Sequence, residues 1–482
     1  MNPILVTYVA LISLATSGAV ATATDHCRSS DDTGCAAADA TCCSADWLTP
    51  EILHFDSLTG DLGDAWSWSA GAQLRHRYMD ESNRFRPGGP AASDYNLWRL
   101  TPQLELDYNE VFTGHIQAID ASAFGYDAPL FPLGIDQNRA DLVQAWAEFH
   151  LTDFDGGGSL KYRYGRQTLK YGSQHLLSPL GWANTFRNFE GHRLMLATEG
   201  WSIDGFHMNS VNAAAGNLFR PDSFDQADQS RTISGVYASC DAFENNTLDL
   251  YWLWFQEDAR AVNRMDGDRH TIGARLAGKI PNKDGKETTG IWNWDFEGAW
   301  QFGKDDFLTG RNQDVSAGFV SALSGYTFSS APWSPTVNAI FYWGSGDSDP
   351  TDGQINTFFS LYPLGHAYWG IIDNFSGQNL IDFGVSTSIK PNDRLDLSMA
   401  WHTFRAASTN DFLYNIAGAP FALAPGEREL GSEVDLIATL RCSENANVQV
   451  GYSWFFYGDA VDNSAFARPD ASQLYVQTTF TF

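Results

Sequence analysis

From Trp66 to the end of the chain, apolar and polar residues alternate with a period of two. Between Trp66 and Tyr78 the even positions hold Trp66, Trp68, Ala70, Ala72 and Leu74, while the odd ones include Ser67, Ser69, Gln73, Arg75 and Arg77. Tyr95 to Tyr108 repeats the scheme, with Trp98, Leu100, Leu104 and Leu106 set against Arg99, Thr101, Gln103, Glu105 and Asp107. In a strand, successive side chains point to opposite faces, so each run predicts one apolar and one polar face. About eighteen such runs of about 9 to 14 residues follow one another, the length a tilted strand needs to cross a bilayer. They begin near Trp66, Tyr95, Val111, Ala140, Leu160 and Glu190 and continue to Ser472.

A soluble sandwich alternates too, but its strands are shorter and fewer. The connections separate the two cases. Asn109-Glu110, Glu199-Gly200, Pro391-Asn392-Asp393 and Ser443-Glu444-Asn445 read as short turns, and residues 122–139, 170–189, 213–230, 346–378 and 407–429 as long loops. Short turns on one side and long loops on the other predict an outer-membrane barrel. The fold class is therefore all-β: a transmembrane antiparallel β-barrel of about 18 strands. Leu474, Val476, Thr478, Phe480 and Phe482 form one face of a last strand that ends on an aromatic residue. That ending resembles the signal read by the barrel assembly machinery.

Composition agrees with this picture. Aromatic residues make up 14% of the chain, charged residues 18%, and glycine occurs 43 times, which suits sheets with tight turns and aromatic girdles. The net charge of -28 excludes a basic nucleic-acid surface. Residues 1–23 carry an apolar stretch and then small residues, with A-x-A cleavage after Ala21 or Ala23, and read as a signal peptide. The n-region lacks Lys and Arg, which leaves a membrane anchor as the alternative. Residues 24–60 form a leader with Cys27, Cys35, Cys42 and Cys43, where an oxidising compartment favours disulfides over metal. Their connectivity is open. Cys240 and Cys442 fall at strand ends on the short-turn rim, either pairing with the leader or standing as small buried thiols. Residues 61–482 form the barrel.

Assigning the apolar faces to lipid turns Arg75, Arg77, Arg99, Lys161, Arg163, Arg193 and Arg275 toward the lumen, along with Glu105, Asp107, Glu148, Asp295 and Glu297. Arg166 is out of phase with Arg163 and faces inward only if a bulge or strand end intervenes at Gly165. Two readings compete. Arginine–carboxylate pairs can simply brace the wall, because an unpaired ion in a confined space is costly. Alternatively, an excess of arginine makes a cationic constriction whose planar forks bind carboxylates and hand them on. Acidic residues in the external loops, among them Asp222, Asp225 and Asp228, account for the negative total without opposing a local positive constriction. Asp347, Asp349 and Asp352 have alternating oxygen ligands as calcium loops do, but no closing Glu, so solvated loop charge competes with a Ca2+ site; no other cofactor is expected. His115 and His150, with Ser69 nearby, are the only candidates for rim catalysis, and lumen histidines more often serve as hydrogen-bonded filler.

The stretch from Tyr162 to Leu194 holds Gly165-Arg166-Gln167, Tyr171-Gly172, Trp182-Ala183-Asn184 and Arg187-Asn188-Phe189-Glu190-Gly191. These pieces resemble the signature of the alginate-export family. Arg166, Arg187 and Arg193 match its cations, and Trp182 and Phe189 its aromatic positions; Glu190 stands where Asp is common, and the Cys-rich leader is a further departure. The resemblance implies an eighteen-stranded monomeric barrel with an arginine-lined, anion-selective path for a uronic-acid polymer. The partners expected are an anionic polysaccharide, outer-membrane lipid and lipopolysaccharide, the assembly machinery and periplasmic export proteins, with no nucleic acid. The substrate does not follow from the fold, and a general or carbohydrate-uptake porin shares every barrel feature.

Overall fold

The computed structural model describes residues 58–211, 224–258, 266–306 and 312–482. The expected signal peptide, Cys27, Cys35, Cys42 and Cys43 of the expected leader, and Asp222 lie outside these residues. The alternating runs form one sheet of twenty strands, of which Leu58–Leu62 and Gln354–Ile355 are short additions. The other eighteen close a ring. They are β1 (Trp66–Ser82), β2 (Ala92–Tyr108), β3 (Phe112–Phe124), β4 (Asn138–Phe154), β5 (Gly158–Gln167) and β6 (Asn188–Thr198). Next come β7 (Trp201–Val211), β8 (Ala227–Cys240), β9 (Asn246–Glu257), β10 (Gly267–Asp284), β11 (Glu287–Asp305) and β12 (Gln313–Thr327). The ring finishes with β13 (Thr336–Gly344), β14 (Leu380–Asn392), β15 (Leu395–Ala406), β16 (Glu429–Arg441), β17 (Ala446–Tyr457) and β18 (Ala471–Thr481). Every strand of the ring is antiparallel to both neighbours, and β18 returns to β1 from Gln73↔Thr481 to Ser82↔Ser472.

Where β18 ends, the rest of that edge of β1 is covered by Leu58–Leu62, with Leu58 opposite Ala70 and Leu62 opposite Trp66. The proposed leader–barrel boundary at residue 60 thus falls inside this small strand. At the junction the Phe482 amide donates to the Ala72 carbonyl (2.8 Å), and the Phe482 carbonyl accepts from the Ala72 amide (3.3 Å). A closed ring leaves no strand edge in lipid, the condition for a sheet to span a membrane.

The outward faces carry the apolar side chains that the alternation assigns to lipid. Trp98, Leu100 and Leu104 on β2 and Trp292, Phe296 and Trp300 on β11 all lie exposed on the outer wall. Tight turns join the strands on the side where β1 begins and β18 ends; Asn109 (φ 47°) and Glu110 (φ 60°) are the two left-handed residues at the centre of the turn that the Val111 amide closes on the Tyr108 carbonyl. The long loops gather on the other side, the external one in such barrels.

The inner wall differs from the polar lumen expected from the sequence. In its external half the strands bury Phe206, Leu253, Phe319, Phe404 and Phe455 against side chains of two long loops that fold into the bore: residues 168–187 after β5 and 345–379 after β13. Leu176, Leu177, Phe358, Trp369, Ile372 and Phe375 from these loops complete one apolar core inside the barrel. Burying this surface inside the ring is favourable for the same reason it is in a soluble domain.

At Gly165 the strand takes φ +129° opposite Gly191 at φ +156°, and the β4–β5 register continues through Ala145↔Arg166. No extra residue is inserted, so the expected bulge is replaced by a pair of glycines in conformations that L side chains rarely adopt. A Cβ on Gly165 would meet the Ala145 carbonyl and come within 2.8 Å of Trp146 Cα. Gly165→Val is expected to destabilise the barrel by about 1–3 kcal/mol. The check is the temperature at which the folded band converts to the unfolded one in a heat-modifiability gel; an unchanged temperature would show that the pair carries no strain.

Candidate functional site

The loop of residues 168–187 crosses the bore. Near its start, Ser173 donates to Asp295 and His175 Nδ1 lies 2.7 Å from Glu297 Oε2, both on β11. Near its end, residues 181–184 reach β1 and β2, half the ring away. Asn184 fixes that end through Nδ2, which approaches the carbonyls of Trp98 (3.0 Å), Ser122 (3.3 Å) and Asp136 (2.9 Å). Asn188 fixes the return into β6 by donating to the Leu142 and Val143 carbonyls.

The second inward loop is knitted to the first. Leu177 and Tyr362 form a bridge, the Ser178 amide donates to the Tyr362 carbonyl (2.9 Å), and the Leu364 amide donates to the Gln174 carbonyl (2.9 Å). His366 stacks on Trp182 with ring centroids 3.6 Å apart. On the wall, Glu433 of β16 accepts from the Ile372 amide (2.8 Å) and Gln473 of β18 donates to the Ile371 carbonyl (3.0 Å).

The sequence-predicted arginines divide into two sets. In the first, each cation meets a carboxylate. Arg163 and Arg193 are cross-strand partners on neighbouring strands. Arg163 Nε lies 2.9 Å from Glu148, which also takes Lys161 at 3.3 Å, and its guanidinium stacks 3.7 Å above Trp146. Arg193 Nε pairs with Asp204 at 3.0 Å. Arg275 bridges Asp249 and Asp295, each at 2.8 Å. Arg166 sits at the external end of β5, buried by Asp141 (3.6 Å), Glu190 (3.4 Å) and the Asp225 carbonyl. These four form the arginine–carboxylate ladder that the sequence left as one of two readings.

In the second set no carboxylate of the described residues lies within 4.0 Å. Arg75 and Arg99 stand directly opposite each other across β1 and β2, and Arg77 shares their face. All three are buried, at 3%, 4% and 2% exposure. Arg75 donates to the carbonyls of Gly181 (3.0 Å) and Ala183 (2.6 Å) and to Asn184 Oδ1 (3.3 Å). Arg99 donates to the same two carbonyls and to Gln73 Oε1 (2.9 Å). Arg77 takes Gln477 Oε1 and the Trp182 carbonyl, with its guanidinium 3.5 Å above the Trp182 ring. Arg187 lies in the loop itself, donates to the Pro363 carbonyl at 3.0 Å and faces the Tyr362 ring. Burial lowers its pKa to about 10 against the opposing pull of Tyr362.

Several expectations change. Asp225 and Asp347 are buried, at 2% and 8% exposure, so neither is a solvated external charge. Asp225 accepts from Asn138 Nδ2 (3.0 Å). Asp347, Asp349 and Asp352 cap turns: Asp347 Oδ1 accepts the Asp349 amide, Asp349 Oδ1 accepts Thr351, and Asp352 Oδ1 accepts the Gln354 amide. Their carboxylates do not converge, and among the described residues no group of three acidic, His or Cys side chains is placed to hold a metal ion. Burial raises the Asp347 pKa, and the neighbouring carboxylates of Asp411 and Asp352 add to the rise. His115 and His150 pair with Glu105 (3.2 Å) and Asp153 (2.9 Å) as wall filler. Cys240 and Cys442 lie on the short-turn rim, with no disulfide between them.

Glu148 holds two cations, so Glu148→Gln keeps a hydrogen-bond acceptor while leaving Lys161 and Arg163 uncompensated. Anion preference is expected to rise, read as a larger reversal potential in a salt gradient. An unchanged value would place this cluster off the conducting path.

Comparison with known proteins agrees with the geometry. Solved structures that superpose on this chain include Pseudomonas aeruginosa OpdO (TM-score 0.56, 14% identity, 86% of this chain and 97% of that one). Acinetobacter baumannii OccAB1 (0.57, 12%, 86% and 96%) and the outer membrane protein OprD of Pseudomonas aeruginosa (0.55, 10%, 86% and 93%) superpose similarly. At these identities the likeness establishes the barrel fold alone. Among curated proteins none matches the chain. The sequence matches the alginate export family over residues 67–472, from the first strand of the ring into its last. With an eighteen-strand closed barrel, a lipid-facing apolar wall and a match over most of its length, this chain belongs to the alginate export family and is an outer-membrane channel of a bacterium.

Proposed function

We propose that the channel passes a carboxylate-bearing polysaccharide, a polyuronate of the alginate type, along an anion-selective route in which Arg75, Arg77, Arg99 and Arg187 supply the binding charge. The observation that carries this reading is the facing pair Arg75 and Arg99 with Arg77 beside them, three guanidiniums without a carboxylate partner among the described residues. Like charges placed directly opposite on neighbouring strands destabilise each other, so the cluster costs the fold free energy that an anionic ligand recovers. Guanidinium forks match carboxylates bidentately, and a polyuronate offers one carboxylate per sugar. The remaining arginines, paired on the ladder, keep the bore's charge local. The protein is proposed to act as a monomer whose outer wall meets lipid and lipopolysaccharide, with periplasmic export proteins as further partners.

A second reading, a general or carbohydrate-uptake porin without polyuronate specificity, is favoured by the ladder itself, since paired charges give weak selectivity. Reversal potential in a salt gradient across a planar bilayer, followed by addition of oligomannuronate and then of a neutral oligosaccharide of equal length, separates the two. The proposal requires anion preference and block by the uronate alone. A weakly selective channel indifferent to both sugars would assign the function to a general porin.

A further inference from the structure

The backbone segment Gly181–Asn184 occupies the arginine cluster as a ligand would. Four hydrogen bonds run from Arg75 and Arg99 to the carbonyls of Gly181 and Ala183, a fifth reaches Asn184 Oδ1, and Arg77 reaches the Trp182 carbonyl. Every one of these acceptors is neutral. The cations are therefore hydrogen-bonded without being neutralised, and the buried Nε atoms of Arg75 and Arg99 donate to no acceptor among the described residues. A buried donor without an acceptor is costly, and charge-assisted bonds to a carboxylate are roughly twice as strong as bonds to neutral acceptors. The site as it stands satisfies the arginines incompletely.

We infer that Gly181–Asn184 is an internal stand-in for the transported ligand: an autoinhibitory strap that carboxylates of a polyanion displace from Arg75, Arg77 and Arg99, so that ligand binding and release of the strap are one event. This rests on the polyuronate reading and adds to it how access to the cluster is controlled. Displacement has an opposing cost. The strap is anchored by the three Asn184 Nδ2 contacts to Trp98, Ser122 and Asp136, and by Trp182, held between Arg77 and His366. One carboxylate satisfies one fork and leaves the anchors in place. Several carboxylates on one chain engage the three guanidiniums together, so the strap selects polyvalent ligands over single sugars. Asp136 and Asp373, on elements packed around the strap, act on Arg77; Asp373 is occupied by His366 (3.0 Å) and Asp136 faces Arg86 (3.6 Å).

The test uses the full chain in planar bilayers, with tetramannuronate and free mannuronate as probes, on the wild type and on Asn184→Ala. Losing the anchor is expected to lower the half-blocking concentration of tetramannuronate about tenfold, the size of one or two lost hydrogen bonds, and to make the monosaccharide an effective blocker. Trp182→Leu removes the stacking anchor instead and is expected to act in the same direction, so the test survives if Asn184→Ala misfolds. An anion-selective wild type, blocked by tetramannuronate, with half-blocking concentrations unchanged in both variants would overturn the strap and leave the polyuronate reading standing. A wild type without anion preference or block would overturn both.

Discussion

A channel with Arg75 and Arg99 both replaced by Gln is expected to lose most of its anion preference. Even with the full screening of water, a lower bound for groups as buried as these, each guanidinium roughly 5–10 Å from a passing ion contributes about 0.4–0.8 kcal/mol of attraction for an anion and the same repulsion of a cation. Removing two such charges weakens anion attraction and relieves cation repulsion by equal amounts, lowering the anion-to-cation permeability ratio by about 15- to 250-fold. The effect is large because no nearby carboxylate of the described residues already cancels these charges, in contrast to Arg163, Arg193 and Arg275. Gln retains one amide donor for the carbonyls of Gly181 and Ala183, so the loop keeps part of its support. The measurement is the reversal potential of folded protein across a tenfold salt gradient. An unaltered potential would remove this cluster from the conducting path and return attention to the ladder.

Deletion of Phe482 is expected to abolish most outer-membrane insertion. The residue closes the ring chemically as well as sequentially, through its two backbone hydrogen bonds to Ala72, and it supplies the terminal aromatic. Phe482→Ala keeps the backbone bonds and loses only the ring, so comparing the two variants assigns the effect. The fraction of heat-modifiable protein in outer-membrane preparations is the readout. Equal loss in both variants makes the aromatic the signal, whereas loss on deletion alone makes the seam decisive; normal insertion of both would contradict a terminal-strand role.

The barrel was legible because lipid and lumen impose a period of two on every strand, and the observed strands start within a few residues of the predicted ones: at Trp66, at Phe112 against Val111 and at Ala471 against Ser472. Arg163 and Arg193, both assigned to the lumen by the alternation, are cross-strand partners. The apolar core inside the lumen lies outside that pattern, yet it left a mark. Tyr251 to Phe255 and Trp454 to Tyr457 are continuous apolar or aromatic runs at the external ends of β9 and β17, where alternation lapses. Such runs belong to strands buried on both faces, and here the inner face is covered by the folded-in loops. Which residues hold those loops was beyond the pattern. Asn184 and Asn188 act through backbone carbonyls of strands distant in sequence, and Arg75 and Arg99 through carbonyls rather than carboxylates, so neither pairing has a complementary residue type to read. Within the signature, the aromatic and Asn positions turn out to anchor the loop, while Arg166 is buried at the strand end.

Flux of the polymer itself is the most direct measurement. Proteoliposomes containing the full chain would be loaded with equal amounts of oligomannuronate and of a neutral oligosaccharide of the same length, and release of each followed over time. Faster release of the uronate, slowed when Arg75 and Arg99 are replaced by Gln, is the outcome predicted for an arginine-guided polyuronate channel. Equal release of the two sugars, or faster release of the neutral one, would contradict it.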